Sequence, residues 1–81
     1  MLMDQNTIFE KIKTIMVEQL NRKPAEVTME TSFKDVEIDS LDAVELIMSL
    51  EEEFEISISD EDAARFHDMP GLIAYITEKI S

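Results

Sequence analysis

Apolar residues return at helical spacing in three stretches of this chain. Ile8, Ile12, Ile15, Met16 and Leu20 form the first stripe. Thr7 with Glu10 fits a capping box ahead of it, and Asn6 is a competing cap. A helix is therefore predicted from about Thr7 to Leu20, with residues 1–5 a frayed lead-in and Lys11, Lys13 and Glu18 on solvated faces. At about 100° per residue, Ala43, Leu46, Ile47, Leu50 and Phe54 share the core face of a second helix. That helix is predicted from about Ser40 to Glu53, with Asp39 as N-cap and Asp42 at N3. Leu72, Ile73, Ile76 and Ile80 give a last helix its stripe, with Tyr75 beside it and Asp68, Met69 and Pro70 marking its start.

Between these stripes the pattern weakens. Ser59 with Asp62 fits the cap of a short third helix running through about Phe66. Ile56 and Ile58 alternate with Ser57, but a lone strand has nothing to pair with. Asn21 to Lys34 is a long connection in which Pro24 breaks a helix or starts a short turn. Val27, Met29 and Phe33 are its candidate anchors to the core. The fold class that follows is all-α: a four-helix bundle of three longer helices and a short third one, with a long loop between helices one and two. Residues 1–81 form a single domain.

Helix two carries a second apolar strip. Leu41, Val44 and Met48 lie well round the helix from the core face, while Asp42, Glu45, Ser49, Glu52 and Glu53 gather on another side. A wide core stripe on a deeply packed helix explains the strip without any function. The functional reading is a docking surface, where apolar contact supplies affinity and the surrounding acids supply orientation and on-rate.

Charge sharpens that second reading. The net charge is −12, and 12 of the 19 acids fall between Asp35 and Asp62, a stretch without Lys or Arg. The other 7 acids balance the 7 bases. Such a field repels nucleic acid and anionic membranes and steers basic partners. Its other use is solubility. No apolar run is long enough to span a bilayer and no signal-peptide core follows Met1, so a soluble cytoplasmic protein, monomeric and without membrane or nucleic-acid partners, is expected.

Composition closes off most catalysis. With no Cys there is no disulfide, thiolate metal site or thiol nucleophile. One Gly excludes Walker and Rossmann loops. Asp35, Glu37 and Asp39 alternate like the start of an EF-hand loop, but its Gly position is Ser40 and its final Glu position is Leu46, so no specific metal site is expected. A serine hydrolase needs a base and an orienting acid near its Ser, whereas His67 is the lone imidazole and no Gly-rich elbow surrounds Ser40. No enzyme is expected. Ser40 is left as an attachment point on the first turn of helix two, where an anion gains about 0.3–1 kcal/mol from the helix dipole. Judged from position alone, an unmodified helix-start residue is the stronger reading.

Asp39-Ser40-Leu41-Asp42, followed by Ala43-Val44-Glu45-Leu46-Ile47-Met48-Ser49-Leu50-Glu51-Glu52-Glu53-Phe54, closely resembles the acyl carrier proteins of fatty-acid and polyketide synthesis. The likeness extends over nearly the whole chain: Thr7-Ile8 through Leu20, Glu26-Val27-Thr28 with Ser32-Phe33, Ile58 to Ala63, and Ala74-Tyr75-Ile76. It implies that Ser40, flanked by Asp39 and Leu41, carries 4′-phosphopantetheine, added from coenzyme A by a phosphopantetheinyl transferase. The prosthetic thiol, which the chain itself lacks, holds acyl groups as thioesters. The resemblance further implies an acyl pocket lined by residues such as Leu46, Ile47, Leu50, Phe54, Ala63 and Ile76. Leu41, Val44 and Met48 with Asp42, Glu45, Glu51 and Glu52 match the family's face for basic patches on acyl-processing enzymes.

The pattern departs from the family at Asp35-Val36-Glu37-Ile38, where the family usually reads Asp-Leu-Gly-x. Glu37 replaces a Gly tolerant of positive φ, and Ile38 adds an apolar side chain just before the attachment motif. These changes point to a specialised carrier. A peptidyl or D-alanyl carrier and an unmodified acidic interaction module stand as alternatives.

Overall fold

The structure is a computed structural model that describes residues 4–34 and 38–80. Among the described residues four α-helices follow one another: α1 (Gln5–Gln19), α2 (Ser40–Phe54), α3 (Asp60–Ala63) and α4 (Met69–Ile80). A 3-10 turn, Pro24–Glu26, interrupts the connection between α1 and α2, with Pro24 at its first position. No strand forms among the described residues; an isolated antiparallel bridge joins Ser32 to Asp68.

The cap of α1 is Asp4, not Thr7 or Asn6. Its carboxylate accepts the Thr7 N–H at 2.7 Å, and its carbonyl accepts the Ile8 N–H at 3.1 Å. These two bonds to the main chain explain why α1 starts two residues before the predicted Thr7. The bonds from Thr7, its backbone N–H above all, also hold the Asp4 carboxyl below its ordinary range, because they favour the charged form. At α2, Asp39 caps as the sequence predicts, accepting the Asp42 N–H at 2.8 Å. Ser59 caps α3 through Asp62 N–H at 3.1 Å, but α3 ends at Ala63, short of the predicted Phe66. Bonds from Arg65 to Asp62 and from Phe66 to Ala63 tighten the chain there into non-helical turns. Asp68 accepts the Gly71 N–H at 2.9 Å at the head of α4.

The core is built where α1 meets α2 and α4. Ile8, Ile12 and Met16 of α1, Leu50 of α2, and Met69, Leu72 and Ile76 of α4 are fully buried there. Each such side chain contributes roughly 1.5–3 kcal/mol on burial. The long loop is fastened to this core by Val27 and Phe33, but Met29 is exposed and is not an anchor. Met29 and Glu30 form the tip of a turn closed by Thr31 N–H to Thr28 carbonyl at 3.1 Å. Buried Thr31 takes the anchoring role instead. Its hydroxyl accepts from Thr28 N–H at 2.6 Å and donates to the Glu26 carbonyl at 3.0 Å. Further along, Phe33 N–H reaches the His67 carbonyl at 2.9 Å and Met69 N–H the Thr31 carbonyl at 2.8 Å. The loop is thereby stitched to the head of α4 and held beside α2.

Candidate functional site

Ser40 is the first residue of α2 and is exposed. The cap at Asp39 fixes the backbone on which it sits. The opening N–H groups of any helix have no partner within the helix, so the hydroxyl stands beside backbone donors that favour a negative group. This setting fits a covalently attached phosphate ester: a free alcohol on a rigid, accessible turn. Asp35, Val36 and Glu37 lie outside the described residues. Ile38 is described; it is half-buried, packs against the core, and donates its N–H to the Phe33 carbonyl at 3.4 Å.

The second apolar strip of α2 is exposed. Leu41, Val44 and Met48 are 68%, 54% and 60% accessible, whereas Leu46, Leu50 and Phe54 on the opposite side are buried. The wide-core-stripe explanation is thereby removed. Glu45 and Glu52 are exposed beside the strip. Two other acids expected on this face are engaged within the protein. Asp42 Oδ2 is paired with Arg22 Nη2 at 3.1 Å, and Glu51 Oε2 accepts the Ile58 N–H at 2.9 Å. Neither bond is visible in the sequence pattern, because the partners lie 20 and 7 positions away.

A groove of about 660 Å³ opens between α2, α3 and the loop. Ile38, Ala43, Leu46, Ile47, Ala63 and Phe66 supply most of its apolar wall. Three of the six residues implied for a pocket are thus brought together: Leu46, Ile47 and Ala63. Leu50, Phe54 and Ile76 are not part of this wall and sit in the close-packed core. Sequence reasoning missed Phe33, Ile38, Ile58 and Phe66 as wall residues, although the apolar Ile38 two positions before Ser40 was a usable signal. Val44 and Met48 border both the groove and the open strip. Tyr75 closes the far side of α3: its hydroxyl donates to Asp62 Oδ2 at 2.8 Å, and its ring meets Phe66 edge-on at 4.9 Å.

Known proteins are similar to this chain in sequence and fold. The family described as a phosphopantetheine attachment site matches residues 10–76. The acyl carrier protein of Thermosynechococcus vestitus is 44% identical over 80 residues, covering 98% of this chain and 99% of the relative. The crystal structure of an acyl carrier protein from Thermotoga maritima superposes with a TM-score of 0.84 at 28% identity, covering 96% of this chain and 92% of that one.

The chain belongs to the acyl carrier protein family. Membership makes it a carrier and not an enzyme, with 4′-phosphopantetheine as its covalent prosthetic group. Its partners are phosphopantetheinyl transferases and acyl-processing enzymes. The four-helix architecture expected from the sequence is that of the family. Among the described residues, no helix is long and apolar enough to cross a membrane, and no group of three His, Cys, Asp or Glu is placed to hold a metal.

Proposed function

We propose that Ser40 is the residue that carries 4′-phosphopantetheine, with Asp39 and Leu41 as its immediate frame. The observation that supports this most is position: an exposed alcohol at the head of the helix that also bears the open apolar strip and one wall of the groove. When attached, the prosthetic group supplies a thiol on which acyl groups ride as thioesters. The chain's own residues do the rest. Asp39 holds the turn, and Leu41, Val44 and Met48 with Glu45 and Glu52 receive basic docking patches. Ile38, Leu46, Ile47 and Ala63 offer an apolar wall to an acyl chain. The carrier acts as a monomer. Ile38, which replaces solvent with an apolar surface next to the attachment turn, supports a specialised role in place of general fatty-acid supply.

Coexpression with a phosphopantetheinyl transferase, followed by intact-mass measurement, tests the attachment. Wild type gains the mass of one prosthetic group and Ser40→Ala gains none. A gain that survives Ser40→Ala places the group elsewhere, and no gain in wild type favours an unmodified interaction module. Acyl transfer rates equal to those of a general fatty-acid carrier, across the fatty-acid enzymes of one host, overturn the specialised role.

A further inference from the structure

The ion pair between Arg22 and Asp42 joins two fixed points. Asn21 adopts a left-handed backbone, φ 55°, and Arg22 N–H turns back to the Met16 carbonyl at 3.3 Å, so the end of α1 sets where Arg22 starts. Asp42 is held on the first turn of α2 by its own N–H bond to Asp39. The two side chains are 23% and 26% exposed, against 35% and 44% for the Lys11–Glu53 pair, so solvent screens them less. Asp42 belongs to the stretch from Asp35 to Asp62 that has no base of its own. The loop therefore brings a cation from outside that stretch to a residue two positions past Ser40.

We infer that Arg22 is a specificity-determining residue of the docking face. Its guanidinium neutralises Asp42 and withdraws that carboxylate from visiting basic patches. The face then presents the apolar strip with Glu45 and Glu52 as its acids. A partner that needs a free acid at position 42 loses that contact; one that reads the apolar strip does not. Charges at the edge of an interface act mainly on encounter, so the effect falls on KM and its salt dependence and leaves kcat alone. This inference rests on the reading that α2 docks basic enzymes which act at Ser40.

The test follows phosphopantetheine transfer from coenzyme A onto the full chain, using one transferase with a basic docking face, at low and moderate salt. Wild type, Arg22→Gln, Asp42→Asn, the double variant and Arg22→Lys are compared. Arg22→Gln uncovers one negative charge and lowers KM roughly two- to fivefold, with kcat unchanged and a steeper salt dependence. Asp42→Asn removes one negative charge from the face while Arg22 keeps its own charge, and raises KM. The double variant returns to the wild-type KM, and Arg22→Lys stays near it because the charge is kept. The inference is overturned if the double variant behaves like Asp42→Asn while Arg22→Gln behaves like wild type, which is the pattern of a free docking acid. It is equally overturned if Arg22→Gln raises KM and lowers kcat together, the pattern of a loosened fold. A wild-type chain that gains no mass overturns the underlying docking reading before any variant is compared.

Discussion

Tyr75 on α4 donates its hydroxyl to Asp62 on α3 at 2.8 Å, and this bond ties the shortest helix to the body of the protein. α3 has one turn of helix and no buried residue, so its position depends on such links. Burial, then the bond to Asp62 and the charges of Asp62, Glu51 and Glu78, push the Tyr75 hydroxyl up to about 12 from 10.0. All of these favour the protonated, neutral form.

Stability should fall in strong alkali for this reason. A phenol with a raised folded-state pKa contributes fully below its unfolded value and loses the contribution as pH rises through the folded one. The window is therefore from about 10 to about 12. The contribution is on the order of 1–2 kcal/mol once screening of the half-exposed pair is allowed for. Urea unfolding of wild type and Tyr75→Phe across that window isolates it, because lysine titration is common to both and the ring contact with Phe66 is kept. Wild type should converge on the variant as pH rises; parallel curves would show that the hydroxyl bond contributes nothing.

The helices were legible in the sequence because apolar spacing fixes them. Leu46, Leu50 and Phe54 fall inside and Leu41, Val44 and Met48 outside, as a 3.6-residue period requires. Ile47 lies between the two faces, and it is half-buried because the groove opens in front of it. The start of α1 was less legible, since Asp4, Asn6 and Thr7 are all good caps and the spacing of Ile8 and Ile12 is the same whichever of them is used. The long-range polar bonds were not legible at all. Nothing local to Asp42, Glu51 or Asp62 announces Arg22, Ile58 or Tyr75 as a partner. The acyl pocket was implied by the family resemblance and not by the residue pattern, and of its six residues Leu46, Ile47 and Ala63 border the groove while Leu50, Phe54 and Ile76 lie in the core.

Glu55 ends α2 in the left-handed region, with φ 53° and ψ 49°. Ile56 N–H closes back on the Glu51 carbonyl at 3.2 Å, the bond of a Schellman turn, in which the left-handed position usually belongs to Gly. A side chain there costs about 1 kcal/mol. Glu55→Gly should therefore stabilise the fold by up to about 0.5 kcal/mol after the greater unfolded-state freedom of Gly is subtracted, raising Tm by roughly 2–4 °C. Glu55→Ala removes the charge and keeps the Cβ, so it should show little of the gain. Equal Tm values for the two variants would assign the effect to charge and not to the backbone.

Glu51 and Glu45 lie on the same helix and should separate stability from docking. Glu51 Oε2 accepts the partly buried Ile58 N–H, while the Glu45 side chain stands in solvent beside Val44 and Met48. Glu51→Ala leaves that N–H without its acceptor and should cost about 1–3 kcal/mol, whereas Glu51→Gln keeps an acceptor oxygen and should cost less. Glu45→Gln should leave unfolding within about 0.5 kcal/mol of wild type. In phosphopantetheine transfer the order reverses. Glu45→Gln should raise KM and flatten its salt dependence, because it removes a steering charge. Glu51→Gln should change both little, since its carboxylate faces the segment before α3. Chemical denaturation and transfer kinetics on the same three variants check both halves. A KM increase for Glu51→Gln equal to that for Glu45→Gln would mean that Glu51 leaves Ile58 to meet its partners.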